Sequence, residues 1–74
     1  MSIYDSIKEE YIKFSEKTKK ENSAKSAITK INFLKKLEEL ATKENLQEEF
    51  IFLNKEKEEV LLFLKEKGIQ PKNN

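Results

Sequence analysis

Four adjacent pairs of acids, Glu9–Glu10, Glu38–Glu39, Glu48–Glu49 and Glu58–Glu59, are the first residues in this chain whose type could carry acid–base or metal chemistry. Their spacing argues against it. Sequence neighbours on a helix point roughly 100° apart, so the two carboxylates of a pair do not face each other. Each acid is better placed for an exposed ion pair with a lysine three or four positions away. A carboxylate metal site across helices would use a Glu-x-x-His element, and the chain has no histidine. Its absence also removes the usual near-neutral acid–base group. No cysteine is present either, which excludes disulfides and thiolate metal sites. Gly68 is the only glycine, so there is no Gly-rich phosphate loop. No catalytic, metal-ligating or cofactor-binding residue can be nominated, and a non-enzymatic protein is expected.

Lysine is the second chemistry on offer. Residues 13–36 hold eight lysines against two glutamates, whereas residues 37–74 hold more acids than lysines. Some of that positive charge is answered locally if Glu9–Lys13, Glu16–Lys20 and Lys17–Glu21 pair at i,i+4 on a helix. Lys19, Lys20, Lys25 and Lys30, around Ser23 and Ser26, are the candidate contacts for an anion or a nucleic acid. The N-terminus of a helix starting near Ser23 would add N–H donors. Against this, every basic residue is lysine, and arginine is the preferred reader of phosphate and guanine. No aromatic is interleaved to stack on a base, and the formal net charge is only +1. A solvated corner between two helices accounts for the same residues.

The elements that would position these groups are helical. Ser2 and Asp5 have capping-box spacing, followed by Ile3, Ile7, Tyr11, Phe14 and Thr18 at helical intervals, with Tyr4 on the border of the stripe. This predicts a helix over 2–20. A turn at 21–23, capped by Asn22 or Ser23, leads to a second helix over 24–42; one continuous helix over 2–42 is the alternative. Ile28, Ile31, Leu34, Leu37 and Leu40 recur every third residue, so their stripe winds around the helix. Such a stripe suits a central helix touching two neighbours.

A third helix is predicted over 45–67, with Asn45 as cap and Glu48 as its N3 acid. Leu46, Phe50, Leu53, Val60 and Leu64 occupy seam positions, with Lys57 in the remaining slot. Gly68 and Ile69 fit a Schellman ending against Leu64, Pro71 prevents a restart, and 71–74 reads as a frayed tail. FIFL and VLLFL, at 50–53 and 60–64, could alternatively be strands of a hairpin, although NKEKEE between them has no favoured turn pair.

The expected fold is therefore all-α, a small three-helix bundle or helical-hairpin assembly within one domain over 1–70. Ile51, Phe52, Leu62 and Phe63 fall off the third helix's seam and exceed what a two-layer packing buries. Either a kink near Asn54 turns some inward, or they form a protein interface. In a 74-residue chain without disulfides, a partner chain or unusually regular helix packing is the expected source of stability. The expected function is that of a small helical regulator, inhibitor or assembly factor binding itself or another protein. The alternative is a nucleic-acid-binding accessory protein. Neither a signal peptide nor a membrane-length apolar run is read, giving an expected cytoplasmic location. The lysine-only basic set, with many Glu, Asn, Ile and Phe, looks like AT-rich coding; a bacterial or mobile-element origin is expected only because short AT-rich frames are common there.

Overall fold

A computed structural model describes residues 2–69 as three α-helices, α1 (Ile3–Lys17), α2 (Ala24–Lys43) and α3 (Glu49–Glu66). No strand occurs among the described residues, so 50–64 is helix, and 2–42 is two helices. The expected tail at 71–74, with Pro71, lies outside the described residues. No described helix is long and apolar enough to cross a membrane.

The α1 helix begins as expected. Ser2 Oγ accepts the Asp5 N–H at 3.2 Å, satisfying one of the free donors of the first turn. It stops at Lys17, earlier than residue 20. Its buried residues, Tyr4 and Tyr11, lie one heptad apart, and the buried C-cap Thr18 continues the step. Here the sequence expectation is corrected: Tyr4 is core, and Ile3 is 66% exposed. One residue of rotation, about 100°, separates the two choices. A tyrosine can hold the inward position because its hydroxyl has a partner there.

Ser23 caps α2, its Oγ accepting the Ser26 N–H at 3.2 Å. Asn22 before it takes a left-handed φ of 49°. Ala27, Ile31, Leu34, Leu37, Leu40 and Ala41 are buried. Ile28, expected in the stripe, is 41% exposed. A stripe of every third residue winds by about 60° per step, and its first member has already left the face.

The Asn45 expectation is also corrected. Asn45 has φ 59° and closes α2 instead of capping α3. The Leu46 N–H bonds to Ala41 O at 2.8 Å and the Asn45 N–H to Thr42 O at 3.3 Å. This is a Schellman ending with asparagine in the left-handed position. The α3 helix consequently starts at Glu49, without a side-chain cap. Its other end is as expected. Gly68 has φ 74°, the Ile69 N–H bonds to Leu64 O at 2.9 Å, and Ile69 packs against the core.

As predicted, α2 is central, packing against both other helices. Short turns reverse the chain at each end of it, so α1 and α3 lie parallel and meet through side chains. Tyr4, Tyr11, Leu34, Leu37, Leu53 and Leu64 are the largest fully buried side chains, drawn from all three helices.

Candidate functional site

Parallel α1 and α3 are joined by a ladder one heptad in period. The Tyr4 hydroxyl donates to Glu49 Oε1 at 2.8 Å, and the Tyr11 hydroxyl to Glu56 Oε1 at 2.7 Å. Lys8 Nζ adds a 2.8 Å bond to the same Glu49 oxygen. Burial and the Glu49 contact push the Tyr4 hydroxyl well above the usual tyrosine pKa, and burial and Glu56 do the same for Tyr11. Bonds from Lys8 and then Tyr4 hold the Glu49 carboxyl below its ordinary value. All three shifts move away from neutral pH, whereas a catalytic acid or base is usually tuned towards it. The seam lysine also has a partner: Lys57 Nζ lies 3.2 Å from Glu38 Oε1 on α2.

A third rung would join Thr18 to Phe63. Thr18 is too short, and its hydroxyl turns back to the Phe14 carbonyl at 2.8 Å. The gap forms a cleft of about 230 Å³ lined with small hydroxyl side chains and floored partly by Val60 and Phe63. Of the four candidate lysines, Lys19 and Lys30 line this cleft, and Lys20 and Lys25 lie exposed outside it. Glu56 and Glu59 line it from α3. Cations from α2 and the turn before it thus share the cleft with acids from α3.

The helix N-terminus in this corner already has an internal anion nearby. Ser23 donates to Ser26 Oγ at 2.9 Å, and Ser26 donates to Glu21 Oε1 at 3.1 Å. Of the expected local ion pairs, Glu9–Lys13 forms at 3.4 Å. Glu16–Lys20 and Lys17–Glu21 do not form among the described residues, because the helix ends at Lys17.

The apolar residues off the seam of α3 divide into two pairs. Phe52 and Phe63 are half-buried and packed against the core. The Phe52 ring meets Tyr11 edge-on at 6.3 Å and carries Lys8 Nζ at 4.6 Å. It is covered by α1, the layer that local periodicity could not place. Ile51 and Leu62 remain 79% and 58% exposed. They are three turns apart on one line of α3, facing away from the core.

The tyrosine–glutamate rungs escaped sequence reasoning. Their only signal was a shared seven-residue step, Tyr4 to Tyr11 and Glu49 to Glu56. Compared with known protein families, curated proteins and solved structures, the chain matches none of them.

Proposed function

We propose that this protein is a non-enzymatic interaction module that binds itself or another protein through the outward face of α3. The observation carrying this reading is the exposure of Ile51 and Leu62, at 79% and 58%, on one line of a helix whose other face packs on the core through Leu53, Val60 and Leu64. Burying a large apolar side chain is worth about 1.5–3 kcal/mol, so a pair of them can decide an association. Phe52 and Phe63 serve mainly to hold that helix to the core. The nucleic-acid reading of Lys19, Lys20, Lys25 and Lys30 has less support, because Glu21, Glu56 and Glu59 stand among them.

The test compares tagged wild type with the Ile51→Glu/Leu62→Glu variant, by sedimentation and by retention of proteins from the native cell extract. The wild type should self-associate or retain a partner that the variant loses, with circular dichroism unchanged. Identical behaviour of the two proteins would remove the interface.

A further inference from the structure

We infer that the partner of this outer face is a second copy of the chain, docked antiparallel about a two-fold axis at the middle of α3. This rests on the interface reading above and names its occupant. The outer line of α3 and its N-cap reads Glu48, Ile51, Lys55, Glu58, Leu62 and Lys65. The steps alternate between three and four residues, the spacing of a coiled-coil seam. All six residues are exposed. None of the four charged side chains has an ion-pair or hydrogen-bond partner among the described residues.

Read in the reverse direction, the line is its own complement. With the axis between Glu56 and Lys57, Glu48 lies opposite Lys65 of the second copy, Ile51 opposite Leu62, and Lys55 opposite Glu58. The two-fold repeats each pair, as in any isologous interface. On the flanks the two-fold sets each side of the line against the same side of the second copy, so Asn54 falls nearest Leu61 and Glu59 nearest Phe52. Parallel pairing would set each residue against itself, Glu48 on Glu48 and Lys55 on Lys55, and repel at all four charged positions. A surface shaped for an unrelated partner has no need of this symmetry. With only two large apolar residues per copy, the interface belongs to the small, transient class. The dimer should therefore form at high micromolar concentration, with the charges setting orientation more than affinity.

Sedimentation equilibrium at low salt tests this directly, with circular dichroism as the folding control. Wild type should show a monomer–dimer equilibrium. Lys55→Glu alone and Glu58→Lys alone should each dimerise at least about tenfold more weakly, because each makes two like-charge contacts. An equimolar mixture of these two variants should associate one to one, and the Lys55→Glu/Glu58→Lys swap should restore homodimers. Direction is read by cross-linking. Ile51→Cys mixed with Leu62→Cys should give a disulfide-linked heterodimer. Ile51→Cys alone should not link, its two sites standing about 16 Å apart along the axis.

Wild type that stays monomeric at millimolar concentration, or Lys55→Glu that dimerises as well as wild type, overturns the antiparallel pair. If that monomeric wild type still loses a retained protein on Ile51→Glu/Leu62→Glu substitution, the broader interface reading survives and only self-pairing falls. Dimerisation undiminished by Ile51→Glu/Leu62→Glu overturns both.

Discussion

The two faces of α3 share one spacing and meet opposite fates. The inner seam, Leu46, Phe50, Leu53, Lys57, Val60 and Leu64, alternates three- and four-residue steps, and so does the outer line from Glu48 to Lys65. Leu53 and Leu64 are fully buried on the first, while every member of the second is exposed. Periodicity therefore identifies a face without saying what covers it. Apolar mass and the reach of a neighbouring helix decide that. Even the lysines differ: Lys57 meets Glu38 on α2, whereas Lys55 has no partner among the described residues.

The sharpest way to break this contrast is Leu53→Ala. Emptying a buried leucine site costs about 2–5 kcal/mol. A domain of this size has only roughly 0.05–0.15 kcal/mol of stability per residue. Circular dichroism should show a grossly lowered or lost thermal transition, and a melt close to wild type would mean the inner seam is not the core.

Alkaline pH attacks the same face through the tyrosines. Their folded pKa values are raised, so the unfolded chain ionises first and stability falls as pH rises above about 10. The loss should reach at most about 1.4 kcal/mol per pH unit for each tyrosine. Denaturant titrations across pH check it, and Tyr4→Phe/Tyr11→Phe should flatten the alkaline limb. Glu49 has the opposite sign. Its folded pKa is lowered, so its contribution is present at neutral pH and lost as pH falls through that folded value.

At neutral pH, Tyr11→Phe removes the 2.7 Å bond to the Glu56 carboxylate and should cost about 1.5–3 kcal/mol by denaturant unfolding. An unchanged midpoint would make the rung ornamental. The smallest effect belongs to the outer face. Ile51→Glu should shift monomer stability by no more than about 0.5 kcal/mol, since its site is exposed. A large loss would show that Ile51 belongs to the core after all.

Helices, their order and the central place of α2 were legible because they rest on local spacing and caps. Ser2, Ser23 and Gly68 each act where their chemistry suggested. The failures share a cause in contacts distant along the chain or in residues with two uses. Tyr4 outcompetes Ile3 for the interior because of Glu49, far away in sequence. Asparagine suits both a helix start and a left-handed helix end, so Asn45 alone did not reveal which it would be. Phe52 looked surplus until α1 was in place above it.

The ladder between α1 and α3 also bears on the order in which the molecule assembles. Each hairpin, α1 with α2 and α2 with α3, closes over a short turn. The rungs instead join residues 45 positions apart, and such closures are entropically the most demanding. The rungs should thus lock after the barrier has been crossed. Removing either tyrosine hydroxyl should then speed unfolding and leave the refolding rate nearly unchanged, a signature that stopped-flow chevrons would read directly.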